Sequence, residues 1–221
     1  MEGLTESATL TRDNLITGDF PLVHKPFNIL AGNLKRGTVL GLVLLGAVAS
    51  AAKDGGNTGN GTLVVDATTP RLANCQAGVY TARCVAADTH EATFQVRDPR
   101  GRDIGTVSFS GSGASGTFAN EIKFAVTDGS TDFIVGDGFD ITVAAGSGGA
   151  VKSLTTASDG SQNPVAILAA PADATAGAID APGYISGQFD PNLLDLADTG
   201  HTEATLASAW LGTPIFLRAA A

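Results

Sequence analysis

Asn33–Gly46, NLKRGTVLGLVLLG, is the stretch on which the reading of this chain turns. It opens on a basic turn, Lys35-Arg36-Gly37, and continues through an apolar segment, Thr38–Leu45, broken only by Gly41. Threonine and valine stand at its start, and β-branched residues fit a pleated, half-buried surface. A short apolar run bounded by glycines predicts a buried strand, although periodicity alone leaves a buried helix open. A second run of the same character, Asn163–Ala170 (NPVAILAA), lies far downstream. The two runs are expected to share one small β core, with a separate module inserted between them.

The totals agree with that plan. A chain of 221 residues holds one large domain or two small ones. Hydrophobic residues make up 43%, enough for a buried core, while charged residues make up only 16% and glycine numbers 28. Such a composition favours short strands and turns over long surface helices. The net charge of −9 falls unevenly: four acids and four bases over 1–52, eleven against seven over 53–150, seven against two over 151–221. An acidic surface repels phosphate, so direct nucleic-acid binding is not expected. Met1–Asp19 carries acids where a secretory leader would be basic, so no targeting signal is expected. The most apolar window, Val39–Ala52, falls short of the roughly 20 residues a membrane helix needs, and no membrane partner is expected. Cys75 and Cys84 are too few for a disulfide framework or a closed zinc site. They could pair across a hairpin; free thiols in a reducing cytosol are the plainer expectation.

Working outward from the opening stretch, residues 1–18 lack strong periodicity and are expected to form a flexible arm. Leu4, Thr5, Leu10, Leu15 and Ile16 would let that arm pair with a partner's exposed strand edge. Asp19–Ile29 sets Phe20, Leu22, Val23, Phe27 and Ile29 around two prolines, which restrict it to an extended or edge segment. KDGGNTGNG at Lys53–Gly61 and GSGG at Gly146–Gly149 read as linkers. Between them, Val79–Ala86, Ala92–Val96, Ile104–Phe109, Glu121–Val126 and Phe139–Ala144 alternate with period two, and Asp98-Pro99-Arg100-Gly101 and Asp128-Gly129-Ser130 mark turns. Near the C-terminus Gly183–Phe189 reads as a strand and Thr202–Leu211 as the one good helix, capped by Thr202 and ended by Gly212 and Pro214. Leu206 and Trp210 share a face of that helix, with Leu211 beside them. Ile215-Phe216-Leu217 reads as a last short strand.

The expected fold is therefore mainly β with one C-terminal helix (α+β): a small barrel-like body interrupted by a sandwich-like insert. The body spans 19–54 and 150–221, and the insert spans 58–148. Leu34, Val39, Leu40, Val165, Ile167, Leu206 and Trp210 are the residues expected to pack the body's core or its contacts with other copies.

No catalytic set stands out. His24, His90 and His201 sit in three separate segments, and no Gly-x-Ser-x-Gly elbow accompanies them. The glycine-rich segments lack the Lys-Ser/Thr ending of a phosphate loop. Asp132, Asp137 and Asp140 lie close together around Gly136 and Gly138. They lack an EF-hand pattern and a closing glutamate, so a solvated turn is expected there rather than bound calcium. Lys35-Arg36 suits an acidic partner or a solvated turn. The chain is not expected to be an enzyme or to hold a cofactor or metal.

One resemblance organises these fragments. Gly18-Asp19-Phe20-Pro21-Leu22-Val23 and Asn33-Leu34-Lys35-Arg36-Gly37-Thr38-Val39-Leu40-Gly41 resemble the bacteriophage lambda-type head decoration proteins. So do, in order, Ser158–Leu168 (SDGSQNPVAIL), Asp173–Gly177, Tyr184–Phe189 and the segment around His201. The middle of the chain resembles a module inserted in such proteins, with Gly78-Val79-Tyr80-Thr81 and Asp132-Phe133-Ile134-Val135-Gly136-Asp137 as its marks. The resemblance implies a homotrimer on the outer surface of the virion head. It would bind the major capsid protein and reinforce the shell against DNA pressure, after synthesis in the host cytoplasm. The compact members lack the insert, which is left to bind a host-surface ligand or carbohydrate, or only to add bulk. The rival expectation is a surface-adhesion or carbohydrate-binding module with no capsid-stabilising role.

Overall fold

The computed structural model describes residues 14–219. Described strands, in chain order, are Val23–Ile29 (β1), Asn33–Leu34 (β2), Val39–Leu42 (β3), Leu45–Ala52 (β4), Thr62–Val65 (β5), Gly78–Asp88 (β6), Glu91–Arg97 (β7) and Asp103–Ser110 (β8). They continue with Ser115–Asn120 (β9), Ile122–Thr127 (β10), Gly138–Ala145 (β11), Ala150–Lys152 (β12), Pro164–Leu168 (β13), Ala172–Asp173 (β14), Ile179–Phe189 (β15) and Ile215–Leu217 (β16). One α-helix is described, Glu203–Ala209 (α1), so the described residues are mainly β with a single α-helix near the C-terminal end. No described helix is long and apolar enough to cross a membrane.

The chain divides into two compact units. The first takes the described residues up to Gly41, then Ala150–Thr155 and Asn163 onward. Its strands close on themselves in the order β1-β12-β3-β13-β15, with β15 pairing back to β1 along Val23–Ile29, and β16 adds a parallel strand to β15. The two apolar runs are hydrogen-bonded neighbours in this ring, Val39 opposite Ile167 and Leu40 opposite Ala166. The turn before β3 needs its glycine: Gly37 has φ +87°, and a Cβ there would stand 2.8 Å from the Leu193 carbonyl oxygen. Arg36 straps the turn down by donating from Nε to the Ala169 carbonyl (2.9 Å), so it is not simply a solvated cation.

Helix α1 seals this unit's core. Thr202 caps it by accepting from the Thr205 N–H, and Thr205 Oγ1 answers the Thr202 N–H. Leu206 and Trp210 join Val39, Ile167, Phe189 and Ile215 in one buried cluster, and the Trp210 indole donates to the Pro164 carbonyl (3.1 Å). Leu211 does not join them; it is 86% exposed. The helix ends at Ala209, so the next turn carries Leu211 off the packed face.

The second unit takes Leu42–Gly149 with Thr156–Gln162. A five-stranded sheet, β4-β11-β6-β7-β8, and a three-stranded sheet, β5-β10-β9, bury a single shared core. Tyr80, Phe94, Val96, Ile141 and Val143 come from the larger sheet, and Leu63, Phe118, Ile122, Phe124 and Val126 from the smaller. Phe133, on the loop before β11, meets Phe94 edge to face at 5.0 Å and also touches Phe109 and Phe139.

These boundaries differ from the expected ones. Leu45–Ala52 belongs to the sandwich, where it pairs along β11, rather than to the barrel. Its alternating small residues suit a half-exposed strand at a sheet margin, which the continuous apolar run conceals. Ser158–Gln162, expected in the body, also falls in the second unit, where the Asp159 carbonyl accepts from the Leu44 and Leu45 amides. Strands β5 and β9 were not expected; their short, Thr/Ser/Gly-containing sequences give little alternation to read.

The cluster around α1 makes a direct prediction. Leu206→Ala should lower stability by about 2–5 kcal/mol, while Leu211→Ala should stay within about 0.5 kcal/mol of the parent. Denaturant unfolding followed by fluorescence of Trp210, the sole tryptophan, measures both.

Candidate functional site

The residues expected in the arm divide at the first described position. Leu4, Thr5 and Leu10 lie outside the described residues. Leu15 and Ile16 do not belong to a free arm. Leu15 is 3% exposed within the barrel cluster, Ile16 bridges Phe189, and the Leu15 carbonyl accepts from the Asp190 N–H at 2.9 Å. The strand edge these residues suit is the chain's own β15. Among the residues expected to pack the body, Leu34, Val39, Leu40, Ile167, Leu206 and Trp210 are buried, and Val165, at the register shift between Pro164 and Ala166, is exposed.

Beside the buried residues the barrel unit presents a patch of large apolar side chains. Phe20 and Phe216 meet edge to face at 4.8 Å. Leu22 lies over Gly187, whose strand neighbour is Ile215, and Val23 follows at the start of β1. All four side chains, Phe20, Leu22, Val23 and Phe216, are exposed. Pro21 is tied beneath them by Ser186 Oγ, which donates to its carbonyl (2.8 Å).

The three clustered aspartates do not converge. Asp137 is buried and spends both oxygens on backbone amides, accepting from Thr58, Gly59 and Ile134. Burial opposes its ionisation, but those N–H groups outweigh it and hold its pKa below the usual value. Asp140 pairs with Arg83. Asp132 turns to a residue that sequence spacing did not connect with it: Oδ1 accepts from the His90 backbone N–H at 2.9 Å and lies 3.4 Å from His90 Nδ1. That ring nitrogen also lies 2.7 Å from Asp128 Oδ2, which accepts from the Gly113 N–H at 3.1 Å. Burial would raise the Asp128 pKa, yet the Gly113 N–H and the His90 ring pull it below the ordinary carboxylate value, with a smaller contribution from the Gly129 N–H. Sequence reading places Asp128 in a turn and His90 only in a segment apart from the other histidines, so neither points to the other.

His24 is exposed on β1 and packs edge-on against Tyr184. His201 is buried, with Nε2 3.0 Å from the Oγ of buried Ser153. A hydrolytic reading of that pair fails on geometry. The His201 Nδ1 has no carboxylate or other hydrogen-bond partner to orient it, and neither side chain is open to a substrate. The pair is part of the barrel's packing.

No family model matches the chain, and no curated protein matches it. Among solved structures it is similar to FlgL of Xanthomonas campestris in two crystal forms, each at 24% sequence identity and a TM-score of 0.31. The match covers 50% of this chain and 33% of FlgL, so it spans one third of that protein, and a superposition this loose carries no argument.

Burial lowers the His201 pKa from its ordinary value of 6.5. Above that value both folded and unfolded chains hold a neutral imidazole. As pH falls below it, the unfolded chain takes up a proton that the folded state refuses, so stability declines. The urea midpoint followed by Trp210 fluorescence should therefore drop between pH 7.5 and 5.5, and drop less in His201→Gln. An equal decline in both proteins would remove His201 as the cause.

Proposed function

We propose that this chain is a phage head decoration protein. It acts as a homotrimer on the outer surface of the assembled capsid, binds the major capsid protein and reinforces the shell against DNA pressure. One observation carries this reading. The resembling segments Gly18–Val23, Asn33–Gly41, Asp173–Gly177, Tyr184–Phe189, the surroundings of His201 and, from Asn163 on, Ser158–Leu168 are scattered along the sequence but belong to one compact unit with its own core, while Ser158–Gln162 falls in the sandwich unit. The interrupting residues bury a different core.

The exposed Phe20–Phe216 pair, with exposed Leu22 and Val23 on the same segment as Phe20, supports an associating role, because exposed apolar side chains gathered on one segment mark interaction surfaces. Burial of such a side chain contributes about 1.5–3 kcal/mol. A trimer multiplies whatever each copy gains from the capsid, so modest contacts suffice for firm attachment. A glycan-binding reading lacks its usual platform: Tyr80 and Trp210 are buried, and Tyr184 is half-buried against Phe189.

Mixed with preassembled capsids that lack a decoration layer, the purified chain should sediment with them and raise their melting temperature. Failure of both would overturn the reading. In light scattering the free protein should have three times its 22.2 kDa chain mass. The double variant Leu22→Glu/Phe216→Glu should shift to a single chain mass while keeping its circular dichroism. Removing residues 1–13, which stops short of buried Leu15, should weaken capsid binding and leave the trimer intact.

A further inference from the structure

Three loops meet at one end of the sandwich: the turn between β6 and β7 that carries His90, the Gly111–Ala114 turn between β8 and β9, and the loop that follows β10. The Gly111 N–H donates to the His90 carbonyl (2.7 Å) and the Gly113 N–H to Asp128 Oδ2, so the loops hold one another. At their junction one ligand atom each from His90, Asp128 and Asp132 lies within 4.8 Å of both others.

Two features set this cluster apart from an ordinary turn. The first is its proton count. Nδ1 of an imidazole has one proton to give, yet it lies between two carboxylates, at 2.7 Å and 3.4 Å. The second concerns Asp128, whose side chain is 1% exposed while its Oδ1 has no hydrogen bond of normal geometry, the Gly129 N–H acting on the carboxylate least of its neighbours. A buried carboxylate oxygen left unsatisfied is costly and rare. The carboxylate it belongs to is the one already turned toward His90.

We propose that His90, Asp128 and Asp132 bind a divalent transition-metal ion of the zinc class, through His90 Nδ1 and an oxygen of each carboxylate. An imidazole nitrogen with two carboxylates is a mixed donor set that favours such an ion over calcium or magnesium, which prefer all-oxygen sites. Two carboxylates supply the two negative charges that a divalent cation neutralises. On binding, Nδ1 gives its proton to solvent and its lone pair to the metal. Asp128 has two oxygens, so one can keep the Gly113 N–H while the other takes the ion. His90 and Asp132 are partly exposed, which leaves a fourth coordination position open to water or to an external donor. Because the ligands come from separate loops, the ion binds the folded state and stabilises it by mass action. The site lies within the sandwich unit and does not depend on the decoration reading.

The test is calorimetric titration of the full chain with ZnCl2, alongside thermal unfolding with the ion and after addition of EDTA. One ion per chain and a melting temperature that rises with zinc and falls back with EDTA are expected. His90→Asn keeps the turn, since asparagine tolerates the positive φ of +52° found there, and removes the imidazole. Asp132→Asn keeps an acceptor for the His90 N–H and removes the charge. Each should weaken zinc binding at least tenfold while the metal-free melting temperature stays close to that of the parent. Neither heat nor a thermal shift in the parent would overturn the proposal. So would undiminished affinity in both variants, which puts the ion elsewhere, or calcium bound as tightly as zinc.

Discussion

The barrel has to close across a gap in its own sequence. Strands β3 and β12 are neighbours in the ring, yet roughly a hundred residues separate them, and joining ends over such a length carries an entropic cost. The sandwich unit removes most of that cost by bringing its own two ends together. The Val43 N–H donates to the Gly149 carbonyl and the Gly148 N–H to the Val43 carbonyl, each at 2.9 Å. The chain therefore returns to the point it left once the sandwich has folded. The rest of the barrel follows from that closure. Every strand of the ring then has a partner on both sides, and open edges are left to the added strand β16 and the short β2–β14 pair.

This arrangement explains which parts of the fold could be read from sequence. Val39–Leu42 and Pro164–Leu168 are buried as adjacent strands, so their apolar character spoke directly of core. The apolar run that begins at Thr38 hid the unit boundary, because hydropathy does not change where the chain passes from one core to another. Leu42 ends a barrel strand and Leu45 begins a sandwich strand, with only two residues between them. The helix was legible because its signals are local: a threonine cap, two apolar residues one turn apart, and a glycine after the last turn. Leu15 and Ile16 were legible as residues that seek a strand edge, but sequence does not say whose edge. The nearest one, on β15, belongs to the same chain.

Side-chain clusters were least legible of all. His90 and Asp128 are 38 positions apart in two different turns, and nothing local to either predicts that they meet. They meet because the β6–β7 turn and the loop that follows β10 lie at the same end of two sheets that share one aromatic core. Register along the strands then fixes which turn residues face one another. Asp137 shows the converse. It sits among acids in the sequence, yet its carboxylate serves the backbone amides of the Thr58-Gly59 segment and takes no part in an acidic cluster.

The two ends of the sandwich treat buried charge differently, and the contrast gives the His90 cluster its meaning. At the end that holds the β7–β8 and β9–β10 turns, Arg102 bridges Asp98 and Glu121, and Tyr80 donates to the second Glu121 oxygen. Asp98 takes the Arg100 and Arg102 amides on its other oxygen. Each of these four carboxylate oxygens is therefore engaged, and one guanidinium serves both acids. Burial pushes the Tyr80 pKa up, which keeps it a donor. At the opposite end a single imidazole takes the place of the arginine. It offers fewer donors in a smaller span, and the Asp128 Oδ1 is left over. An end of the sandwich designed only for cohesion would gain from a second donor there. A ligand atom held ready in a buried, anionic carboxylate is instead what a cation needs, and it is the feature that the arginine-bridged end lacks.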